Sequence, residues 1–219
     1  MKRLLFVLTA IIFVSVTILP AQLLDGLHAI GGFKYSTQAW EDDFAGDLKY
    51  LLGLEGGVGI EREFFGYPFV VRALLVQRGT KWEWSESGVF YSEEDKSKIK
   101  MTYLTIPVLM KYPFCDGYFL GGFETGFLLS AKDKWEYKQS FHSGNETITD
   151  KEKDTEDVKH DYKSLDFGIT LGGGMPIPWE YAALTVEVMY YLGLVNIWDG
   201  DGDCNDKNRS LNLAVIYKF

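Results

Sequence analysis

The residues best suited to hold a cation lie near the C-terminus, in the segment Asp199-Gly-Asp-Gly-Asp-Cys-Asn-Asp206. Carboxylates at every second position of a glycine-containing loop converge on one side of the backbone, and Ca²⁺ prefers such oxygen ligands. The segment departs from the EF-hand loop, because Cys204 stands where that loop has glycine and Ser210 where it has a bidentate glutamate. An acidic hairpin tip without a bound ion is the alternative interpretation. The candidate Ca²⁺ ligands are Asp199, Asp201, Asp203 and Asp206.

Histidine and serine could together cleave a lipid if a carboxylate completed the site. His142 and His160 lie in a segment rich in Asp, Glu, Lys and Ser, a composition typical of a solvated loop. We expect His28 near the periplasmic rim, in the lumen or among the lipid headgroups. We therefore predict no catalytic residues and no enzymatic activity. A lipid A-modifying enzyme remains the alternative.

The N-terminus predicts export from the cytoplasm. Met1-Lys-Arg3 is basic, the segment 4–19 is almost entirely apolar, and Pro20-Ala-Gln22 supplies small residues for cleavage. We expect a signal peptide at residues 1–21 and one domain at 22–219. The whole chain carries 22 Lys and Arg against 31 Asp and Glu, a net charge of −9, which argues against a nucleic-acid partner.

Two cysteines in an exported chain raise the question of a disulfide. Cys115 falls in a tight turn, whereas Cys204 falls in the acidic loop, and the topology predicted below puts these segments at opposite ends of the molecule. We therefore expect two free thiols.

Apolar and polar residues alternate with a period of two from residue 27 onward, which predicts strands. In the segment 164–175, for example, Leu165 and Phe167 alternate with Ser164 and Asp166. The face opposite the apolar one is rich in glycine and holds isolated charges, as the interior of a narrow membrane barrel does. The alternation marks eight segments, at about 27–36, 49–62, 69–81, 103–112, 119–132, 164–175, 182–195 and 209–219.

The connections between these segments are alternately short and long, and the C-terminal strand ends on the aromatic Phe219. Both features are typical of outer-membrane barrels. We predict an all-β protein, an eight-stranded antiparallel up-and-down transmembrane β-barrel with short periplasmic turns and longer external loops, in contact with the lipid of the bacterial outer membrane. The turns are expected at 62–68, 113–117 and 176–180, and the loops at 36–48, 82–98, 133–161 and 196–208.

Aromatic residues cluster beside the turns and beside the loops, as two interfacial girdles would. The expected girdle on the loop side consists of Trp40, Trp82, Trp84, Trp135 and Trp198.

Charged residues at inward positions predict a structural network inside the barrel. Unpaired charges in so narrow a lumen would be costly, so we expect them to neutralise one another. Paired carboxylates that act as acid and base are the alternative, but eight strands leave little room for a substrate. The predicted members of one hydrogen-bonded network are Glu55, Arg72, Lys111, Glu124 and Glu187.

Four motifs resemble the PorT-like outer-membrane β-barrel domains of Bacteroidetes: Tyr103-Leu-Thr-Ile-Pro-Val-Leu-Met-Lys-Tyr112, Gly121-Gly-Phe-Glu-Thr-Gly-Phe-Leu-Leu-Ser-Ala-Lys132, Asp166-Phe-Gly168 and Tyr191-Leu-Gly-Leu-Val-Asn-Ile197. That family includes a secretion and gliding component and many members of unknown role, so the resemblance implies a barrel but brings no catalytic residues with it. We predict a non-enzymatic binding or assembly component that contacts envelope protein partners through its loops, in secretion, motility or adhesion. A small solute pore is a further alternative.

Overall fold

The computed structural model describes residues 25–39, 47–88, 90–143, 146–179, 183–200 and 205–219. The predicted signal peptide therefore lies outside the described residues. No helix in the described part of the chain is long and apolar enough to cross a bilayer. One short 3₁₀ helix, Lys159–Asp161, accompanies the strands β1 Leu27–Ala39, β2 Asp47–Phe64, β3 Tyr67–Ser87, β4 Tyr91–Phe114, β5 Gly117–Ser143, β6 Glu146–Asp157, β7 Leu165–Ile177, β8 Leu184–Gly193 and β9 Lys207–Lys218.

Eight of these strands close into a barrel. Antiparallel pairs run in the order β1-β2-β3-β4-β5-β7-β8-β9, and β1 also pairs with β9, which closes the ring. Phe33 of β1, for example, lies opposite Leu54 on one side and Leu213 on the other. The predicted eight-stranded up-and-down barrel is confirmed.

The barrel buries charged and polar residues beside small apolar clusters, and it exposes large apolar residues on its outward surface. On β9, Leu213 and Val215 are 52% and 44% exposed, whereas Asn212 and Ala214 are buried. The same alternation holds on β8, where Val188 is exposed and Glu187 buried. A barrel that folded in water would place these groups the other way round. The outward surface is therefore suited to lipid and the lumen to polar contacts.

The short connections are tight turns, as predicted. The hairpin between β2 and β3 turns at Phe65 and Gly66, whose φ angles are 53° and 80°. Positive φ at both central residues gives the backbone twist that antiparallel strands need across a two-residue connection. The turn between β4 and β5 contains Cys115, which is exposed and not in a disulfide. Cys204 lies outside the described residues.

Two of the predicted loops, 82–98 and 133–161, are mainly strand in the structure, and that part of the prediction was wrong. β3, β4 and β5 continue beyond the barrel, and β6 pairs with the continuation of β5. We call this four-stranded extension, residues 80–87, 91–102, 130–143 and 146–157, the external sheet. Its outer face is charged and its inner face mixes carboxylates with aromatic rings, so its strands lack the clear apolar alternation that revealed the barrel strands.

The connections that follow β6 and β8 fold over the mouth of the barrel at the same end. The amide of Asp199 donates to the carbonyl of Asp161 over 2.8 Å, and that of Lys163 donates to the carbonyl of Ile197 over 2.8 Å. Tyr162 and Ile197 are buried there in one apolar cluster with Met101, Tyr103, Leu128 and Ala131. These contacts form a lid over the lumen.

The tryptophans do not form the girdle predicted for the loop side. Trp82, Trp84 and Trp135 lie on the face of the external sheet that continues the lumen side, and the Trp198 ring packs on Tyr162 with centroids 5.4 Å apart. Trp40 lies outside the described residues. At the external end of the barrel, the aromatic residues exposed on the outward face are instead Tyr35 and Tyr50. Their rings are stacked, with centroids 4.5 Å apart.

Candidate functional site

Arg78 is the centre of one charge cluster in the lumen. Its guanidinium donates to Asp166 over 2.6 Å and also to Glu124, and all three side chains are buried. The guanidinium carbon lies 3.9 Å from the ring centroid of Tyr191 and 5.5 Å from that of Tyr103. Arginine suits this position because its planar group can bind two carboxylates and stack on rings at once.

Neutral side chains add further hydrogen bonds to these two carboxylates. The Thr170 hydroxyl donates to Glu124 over 2.9 Å, and the Asn208 amide donates to Asp166 over 2.9 Å. Beside this cluster, the Lys34 ammonium lies 3.5 Å from Glu55, and Asn212 donates to Glu55 over 3.1 Å. The half of the lumen nearer the external sheet therefore contains a set of hydrogen-bonded charged and polar side chains.

A second cluster lies nearer the short turns. Arg72 donates to both carboxylate oxygens of Glu187 over 2.7 Å, and the Tyr118 hydroxyl donates to the same carboxylate over 2.6 Å. The Lys111 ammonium lies 4.0 Å from the Tyr118 ring centroid. Lys111 itself donates to Glu61, which also accepts a bond from Lys218 over 3.0 Å.

The five residues predicted as one network all point inward, but the structure divides them. Arg72, Glu187 and Lys111 belong to the second cluster, near the short turns. Glu124 belongs to the Arg78 cluster, and Glu55 pairs with Lys34. Sequence reasoning missed Arg78 and Glu61. Arg78 could have been found, because it continues the inward alternation of Arg72 along β3.

We expect the Tyr118 hydroxyl to contribute to stability through its bond to the buried Glu187 carboxylate. Tyr118→Phe should lower the free energy of unfolding in detergent by about 1.5–3 kcal/mol, the usual range for a hydrogen bond to a charged group. Tyr112→Phe is the matched control, because Tyr112 is exposed on the outward face. Urea titration of both variants measures the difference, and equal midpoints would contradict the assigned role.

The histidines do not assemble a hydrolytic site in the described structure. His28 is buried, and its Nδ1 lies 3.2 Å from the carbonyl oxygen of Gly26. His160 is exposed, and its Nε2 lies 3.2 Å from Asp161. Among the side chains that the structure describes, no histidine is hydrogen-bonded to a serine. The side chain of His142 lies outside that set.

The acidic segment is described only in part. Asp199 is exposed, and Asp206 is buried beside the lid, where its amide donates to Asn196 Oδ1 over 2.9 Å. Asp201 and Asp203 lie outside the described residues. The residues on either side of this gap, like the rest of the described chain, contain no group of three potential metal ligands. The Ca²⁺ site stays a prediction.

The external sheet has two faces of opposite charge. Along β4, outward residues have even numbers from Met110 to Leu104, and this alternation continues through Lys100 and Lys98. The outer face of the external sheet therefore continues the outward face of the barrel. Its lysines are Lys81, Lys96, Lys98, Lys100, Lys132, Lys134, Lys138, Lys151 and Lys153, with the acids Glu83, Glu94, Glu136 and Asp157 between them.

The inner face of the external sheet is acidic and aromatic. Within the described side chains it contains no Lys or Arg. Its acids are Glu86, Glu93, Asp95, Asp133, Asp150, Glu152, Asp154 and Glu156, and its aromatic residues are Trp82, Trp84, Tyr91, Trp135, Tyr137 and Phe141.

Comparison with known proteins places this architecture in a family. The model of the outer membrane protein beta-barrel domain matches residues 24–199. Neisserial surface protein A is 8% identical, with a TM-score of 0.42, over 89% of this chain and 98% of that one. The attachment invasion locus protein Ail of Yersinia pestis is 16% identical, with a TM-score of 0.37, over 89% and 99% of the two chains.

No curated protein matches the sequence. The family match, in contrast, covers most of the chain and agrees with the closed ring of strands and its apolar outward surface. The chain therefore belongs to the outer membrane protein beta-barrel domain family and resides in the bacterial outer membrane, in contact with its lipid.

Proposed function

We propose that this chain is a non-enzymatic binding or assembly component whose external sheet contacts another protein of the envelope or cell surface. The observation that carries the proposal is the sheet itself. Residues 91–102 of β4 continue the strand past the barrel for about 40 Å at 3.3 Å per residue, and three further strands accompany them. A rigid barrel that presents such a surface to the outside suits recognition.

The inner face of the external sheet indicates the chemistry of the partner. In the described structure this face contains eight carboxylates and no Lys or Arg, and tryptophan and tyrosine rings lie between the carboxylates. Such a face is complementary to a basic surface on another protein. Lysine and arginine of a partner would gain both ion pairs and contacts with ring faces. The partner is therefore a protein with a basic patch.

Assemblies for secretion, motility or adhesion are the proposed setting. The resemblance of the four motifs to PorT-like domains supports this choice, because that family includes a secretion and gliding component. The acidic inner face is compatible with each of these assemblies.

The alternatives find less support. A pore needs an open path, whereas the described lumen holds the Arg78 and Arg72 clusters and is covered by Tyr162 and Ile197. A lipid-modifying enzyme needs a histidine bonded to a serine, and the described side chains contain no such pair.

Affinity capture from detergent-solubilised envelopes tests the proposal. We expect a basic protein to co-purify with the tagged chain, and Glu93→Gln/Asp95→Asn/Asp154→Asn on the inner face should reduce its recovery about tenfold or more, since charge pairs dominate such contacts. High salt should reduce the recovery in the same way.

The matched control, Glu83→Gln/Glu94→Gln/Glu136→Gln, removes three carboxylates from the outer face of the same sheet. It should retain the partner. Equal recovery with both triple variants, or recovery of the tagged chain alone, would contradict the proposal.

A further inference from the structure

A cluster of lysines lies on the outer face of the external sheet, just above the barrel. Lys81 of β3 lies opposite Lys98 of β4, which lies opposite Lys134 of β5, and Lys100 lies opposite Lys132 one row closer to the barrel. We call these five residues the lysine cluster. They lie on three adjacent strands without an acidic residue between them.

The lysine cluster begins where the apolar surface of the barrel ends. Leu75, Leu104 and Leu129 are the last large apolar residues on the outward faces of β3, β4 and β5. Lys100 lies four residues beyond Leu104, which is about 13 Å along the strand and roughly 10 Å in height for the usual strand tilt. The headgroup region adds about 6 Å on each side of the hydrocarbon core, so Lys100 lies just above it, and a long, flexible lysine side chain can extend back to the headgroups.

In the described structure the five ammonium groups have few carboxylates nearby: Asp157 lies opposite Lys132, and Glu83 lies two residues from Lys81. In the part of the chain that the structure describes, none of them forms an ion pair, although Lys96, Lys138 and Lys153 on the same face do. Burial and the positive charges of three neighbouring lysines lower the pKa of Lys98 below its ordinary value. Directly opposed like charges destabilise a sheet. A chain of net charge −9 therefore concentrates unpaired positive charge at one place.

Hydroxyl groups accompany the lysines. Lys98, Lys100, Lys132 and Lys134 line an open pocket of about 410 Å³ together with Thr102, Ser130 and Thr155. Ammonium and hydroxyl donors around one pocket suit the oxygen atoms of a phosphate group.

We propose that the lysine cluster binds phosphate groups on the headgroups of outer-leaflet glycolipids that surround the barrel. The cluster continues the lipid-facing surface outward, so a lipid whose acyl chains pack on Leu104 and Leu129 places its headgroup within reach of the ammonium groups. Bound phosphates neutralise the repulsion within the cluster and fix the height of the barrel. This site is separate from the acidic inner face and does not depend on the protein partner proposed above.

The test uses the full mature chain in phosphatidylcholine nanodiscs that contain a small fraction of either diphosphorylated or dephosphorylated lipid A. Native mass spectrometry measures the lipid A that stays bound. We expect diphosphorylated lipid A to be retained at least tenfold better than the dephosphorylated form. Each lysine near a charged surface contributes roughly fivefold, so Lys98→Gln/Lys100→Gln/Lys132→Gln/Lys134→Gln should abolish most of this preference.

The matched control is Lys96→Gln/Lys138→Gln/Lys151→Gln/Lys153→Gln, which removes four positive charges from the same face farther from the barrel. It should keep the preference within about twofold. A difference in gel mobility between unheated and heated samples shows that both variants are folded. Equal retention of the two lipid forms, or an equal loss in the control, would overturn the proposal. Displacement of the lipid by millimolar inorganic phosphate would do so too, because it would assign the site to a small soluble anion.

Discussion

Replacement of Arg78 by methionine is expected to leave Glu124 and Asp166 buried and unpaired, with the largest loss of stability of any lumen substitution. Removal of one partner from a buried ion pair typically costs about 3–5 kcal/mol, because the remaining charge stays desolvated. Here a single guanidinium serves two carboxylates and contacts the Tyr191 ring. The midpoint of urea unfolding in detergent micelles should fall accordingly.

Two further variants make the Arg78 prediction specific. Lys49→Met removes an exposed ion pair with Glu83 and should cost about 1 kcal/mol or less. Arg78→Met/Glu124→Gln/Asp166→Asn removes the two orphaned charges as well and should recover part of the loss. If Arg78→Met unfolds at the same urea concentration as Lys49→Met, the buried cluster does not support the barrel.

Leu213→Arg should be nearly as damaging, for a different reason. Leu213 is 52% exposed and lies in the middle of β9, opposite Phe33 and Val188. An arginine at this depth faces hydrocarbon, which costs about 2–4 kcal/mol in outer-membrane barrels. Unfolding of the variant in lipid vesicles, followed by tryptophan fluorescence, measures this loss.

The control for Leu213→Arg is Met175→Arg. Met175 also points outward and is exposed, but it lies beside Pro176 at the periplasmic end of β7, where arginine reaches the interface. The expected cost there is about 1 kcal/mol or less. Equal losses at the two positions would mean that depth in the bilayer does not decide the effect.

The barrel strands could be predicted from the sequence because each separates two different environments. Large apolar residues at Leu211, Leu213 and Val215 face lipid, while the smaller or polar Asn212 and Ala214 face the lumen. The external sheet lacks that contrast. Its lysines and acids alternate between two solvated faces, and a search for apolar alternation therefore took these strands for loops.

The pairs across the lumen were beyond sequence reasoning. Arg72 and Glu187 are 115 residues apart, and their contact depends on the stagger of strands around the closed ring. The alternation in the sequence shows which charged residues point inward. Their partners across the lumen depend on the shear of the barrel, which is the stagger between neighbouring strands around the ring. For this reason the predicted single network is found as separate clusters around Arg78 and Arg72.

Nitroxide scanning of residues 211–217 tests the central claim, that lipid covers the apolar outward face, most directly. After replacement of the native cysteines, each position carries one spin label in the reconstituted barrel, and accessibility to oxygen and to a water-soluble nickel chelate is measured. Labels at 211, 213, 215 and 217 should be accessible to oxygen and shielded from the chelate, and those at 212, 214 and 216 should be accessible to neither. This architecture would be contradicted if the labels at 213 and 215 were accessible to the chelate. It would also be contradicted if the labels at 212, 214 and 216, and not those at the odd positions, were accessible to oxygen.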